Sequence, residues 1–65
     1  MMRYRIELAD DLMHVLDEDG NGYDAIVIRR DNAKDAEAKI DEWAAEYKID
    51  PRLAKRELRD LIRRM

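Results

Sequence analysis

Residues 17–29 read DEDGNGYDAIVIR, and two folds compete for them. Read as a calcium loop of the EF-hand type, Asp17, Asp19 and Asn21 take the first ligand positions and Gly22 the glycine of the sharp turn. That loop needs a glutamate at its twelfth position, because one side chain there supplies two oxygens, and it needs a helix on either side. The twelfth position is Ile28, the usually apolar eighth is Asp24, and YDAIVIR has the composition of a strand. Read as a hairpin turn, Asp19-Gly20 and Asn21-Gly22 are dipeptides that accept positive φ between two strands. The turn is the reading adopted, and it makes the chain α+β. No cofactor and no metal is expected.

The rest follows outward from that hairpin. Upstream, RYRIEL alternates, with Tyr4, Ile6 and Leu8 on one face and Arg3, Arg5 and Glu7 on the other, the period of a half-buried strand. The ADD that follows reads as a short turn. LMHVL reads as a second strand, with a helix over Leu8–Leu16 as the alternative. The run Ile26-Val27-Ile28 is β-branched and unbroken, which predicts burial on both faces and a central strand. Downstream, Asp31 or Asn32 caps a helix over residues 33–48. Its Ala33, Ala36, Ile40, Trp43, Ala44 and Tyr47 fall in one arc at helical spacing. Asp50-Pro51 starts a second helix, an acidic cap followed by proline in the first turn, with Ala54, Leu58, Leu61, Ile62 and Met65 as its apolar face. The expected fold is a small three-stranded antiparallel sheet followed by two amphipathic helices packed on one face, β-β-β-α-α, as a single domain over 1–65.

At 65 residues the core is small, and chains of this size often add a staple or a partner. There is no cysteine, so disulfides and thiolate zinc sites are excluded. No apolar run approaches the ~20 residues of a membrane span, and MMRYRIELADD lacks the apolar segment of a signal peptide. A soluble, cytoplasmic protein with no membrane partner is expected. His14 is the sole histidine, and without serine, threonine or cysteine it has no conventional nucleophile to activate. Asp10-Asp11 is read as a turn and not as an acid/base pair. An enzyme is not expected.

Charge is distributed unevenly. Residues 1–50 carry 14 acidic and 7 basic side chains, whereas residues 51–65 carry 2 and 6. An acidic body therefore ends in a basic helix. Arg52, Lys55, Arg56, Arg59 and Arg63 fall in one arc of that helix, although like charges four residues apart cost a few tenths of a kcal/mol each. This stripe is the candidate binding site, its partner a protein or peptide. The alternative is a solvated face whose cations favour the helix C-terminus or bridge to Asp41, Glu42 and Glu46.

EYKIDPRLAKRELRDLIRRM, with Tyr47, Ile49, Asp50-Pro51, Ala54, Leu58, Leu61, Ile62 and Met65, resembles the end of the PqqD-like domains, winged-helix-like modules that recognise leader peptides of ribosomally made natural products. The preceding helix with Ile40 and Trp43 fits that resemblance, and LMHVLDEDGNGYDAIV is similar in outline to the family's strands. The resemblance implies a leader peptide added beside the third strand and lying against the last helix, with Ile26, Ile28, Arg56 and Arg59 near the groove. The family's further helix before the final pair has no counterpart here. A strand followed by two helices also resembles the ribbon-helix-helix DNA-binding proteins.

Taken together, the sequence predicts a small non-catalytic protein-interaction module, an adaptor, inhibitor or regulator of the phage or mobile-element type. The alternatives are a leader-peptide recognition domain and a nucleic-acid-binding dimer using the basic helix. Self-association is a further expectation, with Met13, Val15 or Leu53 lining the contact.

Overall fold

A computed structural model describes residues 2–65. The elements follow in the order β1 (Tyr4–Ala9), β2 (Leu12–Asp17), β3 (Gly22–Val27), a short 3-10 turn (Arg30–Asn32), α1 (Ala33–Tyr47) and α2 (Pro51–Arg64). The three strands form one antiparallel sheet in the order β1-β2-β3, with both helices on one face. The α+β, β-β-β-α-α architecture is thus the one the sequence predicts, and residues 12–17 are strand and not helix.

Two short connections fold the sheet. Asp10-Asp11 is a two-residue loop that sets Ala9 opposite Leu12, and Asp10 takes the positive φ of 56°. Residues 17–22 form the second turn. Gly20 N–H donates to the Asp17 carbonyl at 3.1 Å, Asp17 N–H donates to the Asn21 carbonyl at 3.0 Å, and Gly20 has a φ of 87°. The register slips between Val15 and Leu16: Val15 faces Asp24 but Leu16 faces Gly22, so Tyr23 is the extra residue of a β-bulge. The bulge places Tyr23 and Asp24, neighbours in sequence, on the helix side together. Tyr23 stacks there against Tyr4 and Tyr47 with ring centroids 5.3 and 6.2 Å apart, and Asp24 accepts from Trp43 Nε1 at 2.9 Å.

The core lies between that sheet face and the helices. Met13 and Val15 from β2, Ile28 from the segment after β3, Ala36, Ile40 and Trp43 from α1, and Ala54 and Leu58 from α2 are buried, with Tyr4, Ile6, Leu8 and Ile26 packed around them. The α1 and α2 members belong to the predicted helix arcs, whereas Met65, expected on the apolar face of α2, is exposed. Two expectations are overturned. β3 is an edge strand and not the central one: Val27 is 46% exposed, while Ile28, fully buried, lies past the strand where the chain turns into the core. Met13 and Val15 cannot line a self-contact, because both are sealed in the core, whereas Leu53 is 55% exposed.

The helix boundaries have local causes. Asn32 stands at the N-cap position of α1 without a side-chain bond to the helix, and its amide instead ties the helix start to the sheet, accepting from Arg29 N–H at 2.8 Å and donating to the Val27 carbonyl at 2.7 Å. At the other end Lys48 stands in the left-handed region, φ 59°, while its own N–H and that of Ile49 both donate to the Ala44 carbonyl. Asp50 caps α2 by accepting from Arg52 N–H at 3.0 Å, and Pro51 opens the first turn. Lysine in the left-handed region is strained where glycine is not. Lys48→Gly is expected to raise stability by about 0.5–1 kcal/mol, read as a higher urea midpoint with an unchanged slope.

Candidate functional site

The five basic residues of the predicted stripe all lie on α2, and the structure divides them by what they touch. Lys55 Nζ bridges to Asp41 of α1 at 2.8 Å, an inter-helix contact with a structural use. Arg52 wraps its guanidinium around Asp50, with Nη2 at 2.7 Å from Oδ2, and with help from its own backbone N–H holds that carboxyl down at about 2 against the smaller effect of burial. Arg63 lies 3.5 Å from Asp60, one turn back. Arg56 and Arg59 are exposed and have no ion-pair partner among the described residues. The two flank an open hollow floored by Leu53.

That hollow has two neighbours. One of about 280 Å³ lies between β1 and the start of α2, bounded by Tyr4, Ile6, Ile49 and Leu53. Another runs past Arg3, Tyr47 and Lys48 at the α1–α2 connection. Asp50 borders all three, and the one between Tyr4, Ile6, Ile49 and Leu53 is a groove between β1 and α2. Around them Lys48, Arg52, Arg56 and Arg59 stand against two carboxylates, Glu46 and Asp50, while the Arg5 guanidinium is engaged by Glu7 at 3.1 Å and by the Asp17 carbonyl at 3.0 Å. A protein of net charge −3 thus carries two unpaired guanidiniums, Arg56 and Arg59, beside this groove. The sequence shows the α2 half of it. The β1 side, Tyr4 and Ile6, is brought to it only by the fold.

The groove belongs to β1 and not to β3. α2 packs against β1, β2 separates β1 from β3, and α1 covers the β3 side through Trp43 and through Lys39, which lies 3.3 Å from Asp24. Ile26 and Ile28 are core-facing residues on that far side, so the structure does not bring them together with Arg56 and Arg59. Trp43 Nε1, and after it the Ala25 N–H and Lys39, hold the Asp24 carboxyl below its ordinary range, against the opposing effect of burial.

Asp17, first of the calcium-loop positions, has its carboxylate buried and filled by donors: Asp19 N–H at 2.9 Å, Asn21 N–H at 3.0 Å, Asn21 Nδ2 at 3.3 Å and Tyr23 Oη at 2.7 Å. Among the described residues no group of three or more acidic, histidine or cysteine side chains is arranged to hold a metal ion. His14 sits on the uncovered sheet face between Glu7 and Ala25, its Nε2 enclosed and without a hydrogen-bond partner. No described helix is long and apolar enough to cross a membrane. No family model, curated protein or solved structure matches the chain, so the groove has to be understood from its own chemistry.

Proposed function

We propose that the protein is a non-catalytic interaction module, an adaptor, inhibitor or regulator, that holds an acidic surface of a protein partner in the groove between β1 and α2. The observation that carries this reading is the division of the basic stripe: Lys55, Arg52 and Arg63 are spent on contacts within the molecule, while Arg56 and Arg59 stand unpaired beside exposed Leu53. Unpaired guanidiniums around an apolar floor combine bidentate recognition of carboxylates with a desolvated contact. The surrounding acidic body repels other acidic surfaces and restricts a negatively charged partner to this groove.

The test is affinity capture from nuclease-treated host lysate with the wild-type chain and with Arg56→Glu/Arg59→Glu. Both side chains are exposed, so the double variant keeps its melting midpoint. A stoichiometric protein held by the wild type and weakened roughly tenfold or more by the reversal is the expected result. Equal capture by both proteins would make the stripe a solvated face. Capture that vanishes with nuclease, and an affinity that falls steeply with salt, would move the assignment to nucleic acid.

A further inference from the structure

The two edges of the sheet are finished differently, and the difference bears on how a partner enters the groove. A two-residue hairpin loop closes on a hydrogen-bonded pair, and backbone groups alternate sides along a strand. With Ala9 opposite Leu12, the groups of Arg5, Glu7 and Ala9 turn inward to β2, and those of Tyr4, Ile6 and Leu8 turn outward. The Ile28 N–H donating to the Asp11 carbonyl at 2.6 Å fixes the same alternation on the other side, so the outward groups of β3 are those of Ala25 and Val27.

On β3 two of the four outward groups of Ala25 and Val27 are occupied. The Ala25 N–H donates to the Asp24 carboxylate at 2.9 Å, and the Val27 carbonyl accepts from Asn32 Nδ2 at 2.7 Å. Side chains thus blunt that edge, as exposed edges commonly are. On β1 nothing among the described residues bonds the outward groups of Tyr4, Ile6 and Leu8. This is the edge that borders the groove.

We infer that β1 receives an extended acidic segment of a protein partner as a fourth strand, laid along the groove against α2. This rests on the interaction reading above and specifies its partner. Backbone pairing to Tyr4, Ile6 and Leu8 spans about five residues of the segment. Alternate side chains of that segment then face α2. Apolar ones meet Ile49 and Leu53, and carboxylates meet Arg56 and Arg59.

The experiment uses the full chain made by chemical synthesis, in the natural form and with an N-methyl group on the backbone nitrogen of Ile6. That change removes one outward donor and obstructs an added strand, yet leaves every side chain in place. The melting midpoint of the Ile6-methylated chain is expected to stay unchanged, whereas the same modification at Glu7, on the inward side, lowers it. A displayed library of random peptides is selected on the natural chain, and the recovered peptides are measured on both proteins. The expected result is a set of acidic peptides with alternating β-branched residues, bound roughly tenfold or more weakly by the Ile6-methylated chain. Their binding slows hydrogen exchange at the Tyr4, Ile6 and Leu8 amides. Recovered peptides that bind both proteins equally, or a selection that yields no peptide, overturns the strand addition. Loss on methylation without loss on Arg56→Glu/Arg59→Glu would keep the added strand and remove the basic face from it. Loss on charge reversal alone would do the opposite. A single-stranded oligonucleotide that binds the natural and methylated chains alike would identify the groove as a phosphate site.

Discussion

Replacing Trp43 by alanine is expected to leave the chain without a cooperative melting transition at room temperature. Trp43 is fully buried and is the largest side chain in the core, placed where α1, α2 and the sheet meet. Removing it costs about 3–5 kcal/mol, the transfer free energy of the ring together with the cavity it leaves. A chain of 65 residues holds about 3–10 kcal/mol in all, and one with so small a core and no disulfide lies toward the lower end. The variant also leaves the Asp24 carboxylate without its indole donor. Trp43→Phe separates the two effects. It keeps most of the ring volume, loses the hydrogen bond, and is expected to melt cooperatively with a loss of about 1–3 kcal/mol. Circular dichroism melts of the two variants check both statements. A folded Trp43→Ala would mean that the sheet and helices are held by something other than this core.

The second large effect is expected at Asp17. Its carboxylate is the acceptor at the centre of the β2–β3 turn, and the Tyr23 hydroxyl is its strongest partner. That bond, with smaller contributions from Asn21 and Asp19, lowers the Asp17 pKa to about 2 against the opposing effect of burial. The same contact pushes the Tyr23 phenol up to about 12. The sign follows from linkage. Asp17 binds its proton more weakly in the folded state than in the unfolded state. Its contribution is therefore present above the unfolded pKa of 3.8 and is lost as pH falls from there through about 2. Tyr23 contributes in the opposite sense: its share is present below 10 and is lost as pH rises toward about 12. Asp17→Ala removes the acceptor from all four donors and is expected to lower the melting midpoint at neutral pH by on the order of 10 °C. Tyr23→Phe removes the leading cause of the Asp17 shift. The Asp17 carboxyl should then titrate at higher pH, followed by the carbon-13 shift of its carboxyl, and the acid transition of the protein should move up with it. An unchanged Asp17 titration would show that the backbone donors alone hold the charge.

Much of the architecture is legible because it rests on short-range patterns. The alternation of Tyr4, Ile6 and Leu8, the arc from Ala36 to Tyr47 and the Asp50-Pro51 start are all visible in a window of one element, and each corresponds to an element of the structure. The misreading of β3 has a definite cause. Ile26, Val27 and Ile28 look like a strand buried on both faces, but the chain leaves the sheet after Val27, so the run passes from a half-buried edge into the core. Composition carries no record of where a strand ends within an apolar run. The bulge at Tyr23 is equally silent, since one extra residue in a strand changes neither periodicity nor turn signals enough to be read. The site was half legible. Arg56 and Arg59 stand out as a helical stripe, yet which cations are free depends on Asp41, Asp50 and Asp60, and the groove depends on β1. Contacts such as Trp43 to Asp24, 19 residues apart, are fixed by packing and leave no local pattern.

The unequal finish of the two edges also limits how such a molecule can polymerise. A sheet receptive on both sides has a valence of two and can grow into a fibre by repeated pairing. Here the Asp24 and Asn32 side chains occupy part of one side and disfavour pairing there, which lowers the valence toward one. Two copies meeting β1 to β1 would close on each other about a two-fold axis and stop there. The same receptive strand can therefore stay available to a partner without seeding a chain of its own copies.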